Sequence, residues 1–202
     1  MNQDSEILLE KHYTELCEKL AAHRLPRWDA LPDLELYMDQ VVAVMEKLLD
    51  IYHECSPEDN RIITPSIINN YVKLKVVPAP NKKRYSKEHL AYLIIVCILK
   101  QTLSISSIVK IMERQLEKKS IDVLYNDFCN IYENVIPFVH FGDFSPSEED
   151  RRRREALDKA VDMDDFILKS AIISTSGKFI CEGVLSIIQR DNSEKKEDLA
   201  KE

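Results

Sequence analysis

Glycine is almost missing from this chain: three residues in 202. That scarcity nearly excludes phosphate-cradling loops, and neither a P-loop nor a G-x-G-x-x-G stretch occurs. It also argues against a turn-rich sheet protein. The abundance of Leu, Ile, Val, Lys and Glu points to helices instead. The five cysteines, Cys17, Cys55, Cys97, Cys129 and Cys181, are odd in number and lack a C-x-x-C pair. A disulfide framework and a zinc site are thereby disfavoured, and Cys17 and Cys97 read as small hydrophobes within apolar helical patterns. The longest apolar run, Leu90–Leu99, falls short of the roughly 20 residues needed to span a membrane. No signal-peptide pattern opens the chain, because charges run through residues 1–20. The resulting expectation is a cytoplasmic protein that does not engage a membrane.

No catalytic constellation emerges either. The five histidines are scattered, with no obvious serine or cysteine nucleophile beside them. Asp158, Asp162 and Asp165 share a helical face, but no histidine follows at ligand spacing. They read as a solvated acidic face rather than a metal site. Arg151–Arg154, after Glu148-Glu149-Asp150, reads as an ion-paired helix. We expect no enzyme, no metal and no cofactor.

What the chain does have is a segregation of charge. Residues 61–119 contain twelve Lys/Arg and three Glu, giving 12 − 3 = +9, while the remainder gives 16 − 32 = −16. A basic island within an acidic chain is the footprint of a polyanion-binding module.

Apolar spacing divides the chain into helices. Residues 4–22 are amphipathic, and Leu25–Pro32, with two prolines and the only Trp, reads as an ordered loop pinned by Trp28. A second helix is predicted over Asp33–His53 from Leu34, Met38, Val41, Met45, Leu48 and Tyr52, ended by Ser56-Pro57. Thr64-Pro65 is an N-cap followed by proline at the first helical position, opening a short helix to Lys73. Ile67, Ile68, Tyr71 and Leu74 would face its core. Val76–Pro80 is extended, and Asn81–Tyr85 a basic loop or hairpin tip. Ser86 caps a helix that is apolar on all sides, and Ser104 caps another bearing Ile105, Ile108, Met112 and Leu116. Leu124–Val135 is helical, Ile136–Phe144 a loop containing Pro137 and Gly142, and Ser145-Pro146-Ser147-Glu148 a capping box. One helix or a pair covers 163–189, with a join or kink at Gly177, and a frayed charged tail follows over 191–202.

The order of parts from Thr64 to Leu116 resembles the winged helix-turn-helix of MerR-type proteins. The resemblance rests on Asn70–Pro78, on Lys82–Leu90 and on Leu103–Ile108. The chain as a whole, through residues 25–40 and 64–93, also resembles a bacterial family known as domain of unknown function 1836. The MerR resemblance departs at Asn69 and Lys83, where arginines are usual, and at Lys75, where glycine is usual. The long Asp33–His53 helix also stands where a short first helix is usual.

The expectation is therefore an all-α, mainly helical protein, with a MerR-like winged helix-turn-helix and small β wing between flanking helices. Residues 1–119 would hold the N-terminal helices and the module, whose core is 62–118. Residues 120–190 would form a helical region for dimerisation or sensing, with the tail at 191–202. A transcription regulator reading double-stranded DNA as a homodimer is the leading reading. A helix-turn-helix scaffold that binds protein and no longer reads DNA is the alternative. The candidate contacts are Thr64, Ser66, Asn69, Asn70, Tyr71, Lys73 and Lys75 from the short helix and its exit. Lys82, Lys83, Arg84 and Tyr85 would join them from the wing. Asparagine can pair bidentately with adenine, lysine can reach guanine or phosphate, and wing charges position without reading sequence.

Overall fold

The computed structural model describes residues 11, 12, 14–16, 18–20, 22–55, 62–141 and 162–199, the side chains of 53–55, 135–141 and 188–199 excepted. Gly142, the capping box at 145–148, Arg151–Arg154, Asp158, Cys17 and Ser56-Pro57 lie outside these residues.

The described chain is mainly helical and contains no strand. Helical residues within 11–22 bury Leu16 and Leu20. An extended strap follows, interrupted by a 3-10 turn at Trp28–Ala30. Then come α1 (Met38–Leu48), α2 (Asp50–Cys55), α3 (Pro65–Lys73), α4 (Lys87–Leu99), α5 (Ile105–Leu116), α6 (Ile121–Phe141) and α7 (Met163–Leu199).

The strongest packing element is α4. Ten of its thirteen residues are buried, from His89 through Leu99 except Tyr92. Burying each Leu or Ile contributes roughly 1.5–3 kcal/mol. A helix apolar on every side must be enclosed, and α1, α6 and α7 pack around it. Its start is fixed by Ser86, whose backbone N–H donates to the His89 ring nitrogen Nδ1 at 3.0 Å. Histidine here takes the place of the usual Glu of a capping box.

The strap is held by polar contacts. The Trp28 N–H donates to Asn126 Oδ1 at 3.0 Å, and the Arg27 guanidinium pairs with Glu133 at 2.7 Å. Tyr125 donates to the Pro26 carbonyl at 2.8 Å, and the Trp28 ring stands edge-on to Tyr125. At its start, Tyr52 OH lies 2.6 Å from Tyr132 OH, which lies 3.1 Å from His23 Nδ1. His23 Nε2 donates to the Leu48 carbonyl at 3.1 Å. Burial pushes the His23 pKa down, so the ring is held neutral.

Four local expectations are corrected. The predicted Asp33–His53 helix begins at Met38 and is jointed at Leu49. Leu36 exchanges two backbone hydrogen bonds with Tyr85, at 2.9 and 2.8 Å, which keeps Asp33–Tyr37 out of the helix. Leu34, placed on the apolar seam by its spacing, is 73% exposed. The loop predicted at Ile136–Phe144 is helical as far as Phe141. Proline removes one N–H and bends a helix, but does not compel a stop. Of the two readings for 163–189, one helix or a pair, the structure has the single helix, which runs through Gly177. The tail predicted to fray is helical to Leu199, in keeping with its Glu and Lys, which are good helix formers.

Candidate nucleic-acid interface

The geometry of the basic segment starts with the α3 caps. Thr64 Oγ1 accepts the Ile67 N–H at 3.2 Å, with Pro65 behind it at the first helical position. The hydroxyl is thus committed to the backbone. Helical periodicity then turns Ile68 and Tyr71 into the core and leaves Ser66, Asn69, Asn70 and Lys73 exposed. Leu74, expected inside, is 47% exposed. The helix ends one residue before it, and the turn directs it outward.

That turn is a Schellman motif. The Val76 N–H donates to the Tyr71 carbonyl at 3.1 Å, and the Lys75 N–H to the Val72 carbonyl at 3.0 Å. Its geometry requires a left-handed residue at position 75, and Lys75 has φ 59°. The side chain that replaces the usual glycine therefore does not change the turn; it strains it. Non-glycine residues in this region cost about 1–2 kcal/mol.

The hairpin tip repeats the pattern. Asn81 and Arg84 form a single bridge, with the Arg84 N–H donating to the Asn81 carbonyl at 2.8 Å. Lys82 and Lys83 between them have φ 47° and 65°. Two successive positive φ values are the requirement of a type I′ turn, normally met by Asn-Gly. The expected small β wing is not seen: two isolated bridges, Asn81–Arg84 and Leu36–Tyr85, are present, with no strand among the described residues. Lys75, Lys82 and Lys83 are the non-glycine residues at positive φ among the described residues. All three are exposed lysines of the basic segment.

The tip's remaining candidates are differently placed. Arg84 pairs with Glu35 at 3.4 Å, and its guanidinium lies 5.3 Å from the centre of the Tyr37 ring. It clamps the tip to the strap and remains half exposed. Tyr85 and Tyr71 are corrected as contact residues. They are 2% and 6% exposed, and burial raises the pKa of both phenols. Tyr85 packs edge-on against His89. Both tyrosines position the surface from beneath.

The far end of the basic segment is neutralised. Arg114 and Lys118 both reach Asp164, and Lys118 also reaches Asp162 at 2.9 Å. Lys119 pairs with Asp165 and Asp127, each at 2.9 Å. Hydrogen bonds from Lys118 hold the Asp162 and Asp164 carboxyls below the ordinary carboxylate value, helped at Asp164 by Arg114. Lys119 does the same for Asp165. Asp162 and Asp165, read as a solvated acidic face, instead fasten the start of α7 to the end of α5. Sequence spacing could not reveal this, because the partners lie more than forty residues away. Lys73, Lys75, Lys82 and Lys83 form no ion pair with a described carboxylate.

Among the described residues no group of His, Cys, Asp or Glu could hold a metal. Cys97 and Cys129 are buried thiols raised by desolvation to about 12 and about 11, which makes them poor nucleophiles. No described helix is long and apolar enough to cross a membrane.

Among the described residues the protein is all-α, with α7 packed on α2, α4, α5 and α6. The chain belongs to the family described as Domain of unknown function (DUF1836), whose model matches residues 26–133. No curated protein and no solved structure matches it.

Proposed function

We propose that the chain is a DNA-binding transcription regulator that grips duplex DNA with the exposed edge of α3 and the Lys82–Lys83 tip, in the manner of a MerR-like helix-turn-helix. One observation carries this reading. Three lysines occupy left-handed positions where glycine or asparagine would be more stable. Backbone strain retained at exposed cations is a sign that the cations are used. Ser66, Asn69, Asn70 and Lys73 supply groups able to read base edges, and Lys75, Lys82 and Lys83 supply groups that neutralise phosphates.

The test separates stability from binding. Lys82→Asn with Lys83→Gly should raise the melting temperature, because the turn then has its preferred residues. The same variant should weaken duplex binding and reduce the slope of log K against log salt by roughly 0.9 per lost phosphate contact. Fluorescence anisotropy at several salt concentrations measures the second effect. Undiminished DNA binding by the stabilised variant would remove the tip from the interface.

A second reading, a scaffold that binds an acidic protein surface, is favoured by one observation. Leu74 stands exposed between Lys73 and Lys75, where an apolar contact would suit a protein partner. Absence of duplex binding even at low salt would select it.

A further inference from the structure

A groove of about 360 Å³ lies between the strap and the start of α4. The strap contributes Trp28, Asp33, Leu34 and Glu35 to it, and the helix contributes Lys87 and Glu88. Its size falls within the range of clefts that take specific ligands, roughly 300–1,000 Å³. The lining is of two kinds. Trp28 and Leu34 are apolar, while Asp33, Glu35 and Glu88 are exposed carboxylates set against the single ammonium of Lys87. The groove is therefore acidic although it adjoins the basic tip, and the sign of the charge changes across the Arg84–Glu35 pair. Such a lining repels a polyanion and attracts a cation.

The strap itself shows which cation suits this kind of lining. Glu35 and Tyr37 together hold the Arg84 guanidinium, the carboxylate at 3.4 Å and the ring centre at 5.3 Å. A guanidinium is planar and weakly hydrated, so it can lie on an aromatic face while its edge pairs with a carboxylate. The groove brings the same two kinds of group together. Trp28 supplies the ring, with the Lys87 ammonium 5.4 Å from its centre, and Asp33 and Glu88 supply the carboxylates. Neither carboxylate has an ion-pair partner among the described residues.

We infer that the groove receives an arginine side chain carried on an extended segment of a partner protein. Its guanidinium meets the carboxylates of Asp33 and Glu88, and its aliphatic stem lies against Leu34 and Trp28. The apolar surface that runs past the groove favours a protein segment over a free small cation. Leu34 is 73% exposed, and Tyr37, outside the lining, is 50% exposed. A small cation within the groove leaves both in water, whereas a chain continuing along the strap covers them. Exposed ion pairs contribute little each, so the expected dissociation constant is roughly ten to several hundred micromolar.

Because the groove is separate from the DNA reading, it is tested without DNA. The probe is a library of labelled octapeptides with arginine fixed at the centre and the other positions randomised without Arg or Lys. Beside it runs the same library with citrulline at the centre, which keeps the shape and loses the charge. Both are offered to the full chain at about 0.15 M salt, where diffuse attraction to its net charge of −7 is screened. The wild type should retain the arginine library at least roughly fivefold better. Asp33→Asn with Glu88→Gln should erase that preference. Asp50→Asn with Glu113→Gln, which removes the same charge from α2 and α5, should keep it. Leu34→Ser should lower retention by a few-fold. All these positions are exposed, and thermal melts check that each variant remains folded. Equal retention of the two libraries by the wild type, or a preference that survives in the Asp33 and Glu88 variant, would overturn the proposal. So would an equal loss in both charge variants, which would reduce the effect to net charge. Competition by free argininamide at the same concentration as by the peptides would overturn the protein segment as the occupant.

Discussion

The two ends of the basic segment carry similar side chains in opposite circumstances. At the α5 end, Arg114, Lys118 and Lys119 are fastened to Asp127, Asp162, Asp164 and Asp165. At the α3 and hairpin end, Lys73, Lys75, Lys82 and Lys83 meet no described carboxylate, and three of them sit on a strained backbone. A count of charges treats all seven alike. The fold divides them into cations that hold helices together and cations kept available at a cost in stability. Net charge along a sequence therefore measures potential, and acids arriving from distant elements decide how much of it reaches solvent.

The largest effect that can break this contrast is on polyanion binding. Replacing Lys73, Lys75, Lys82 and Lys83 with Ala should lower duplex affinity by roughly a hundredfold and reduce the salt slope by about 3. Replacing Arg114, Lys118 and Lys119 with Ala should leave affinity within a few-fold while lowering the melting temperature. Equal losses of binding in an anisotropy titration of the two variants would abolish the distinction.

A smaller effect concerns the backbone. Lys75→Gly should stabilise the protein by about 1 kcal/mol in a urea titration, because relief of left-handed strain exceeds the added freedom of the unfolded chain. A loss of stability would mean that the Lys75 side chain contributes contacts larger than the strain.

The smallest effect is a pH dependence confined to one end. Carboxylates held below their unfolded value contribute stability that is complete above about pH 3.9 and lost as pH falls through the folded value. The junction of α5 with α7 should therefore loosen below about pH 4. Asp162→Asn with Asp165→Asn should flatten that part of an acid titration followed by circular dichroism, and Lys82→Asn with Lys83→Gly should leave its shape unchanged.

What the sequence reveals is what neighbouring residues decide. Thr64-Pro65, Ser86 and Ser104 mark helix starts by local hydrogen bonding, and the enclosed run at Leu90–Leu99 follows from its lack of a polar side. Trp28 is pinned in an ordered loop as expected. The errors arise where distant groups intervene. Leu34 and Met38 have helical spacing, but Leu36 pairs with Tyr85, forty-nine residues later, and the first turns of the expected helix are lost. Asp162 and Asp165 are acidic and helically spaced, yet their ion-pair partners, Lys118 and Lys119, come from the turn that follows α5. Of the candidate contacts, the exposed polar ones on α3 follow from periodicity. Tyr71 lies on the core side of α3 that its spacing predicts, and burial withdraws both it and Tyr85 from the candidate contacts. The substitution of Lys75 for glycine was visible in the residues, but not that the backbone accepts the left-handed turn regardless.

Gly183 has a consequence in time as well as in space. Leu16 rests directly on its bare backbone, and a Cβ there would meet Leu16 Cδ2 at 2.5 Å. That contact joins positions 183 − 16 = 167 residues apart in the chain. At a synthesis rate of about 5–20 residues per second, roughly 8–33 s separate the two. During that interval Leu16 and Leu20 have nothing of α7 to pack on, so this part of the core can close only once α7 has been made.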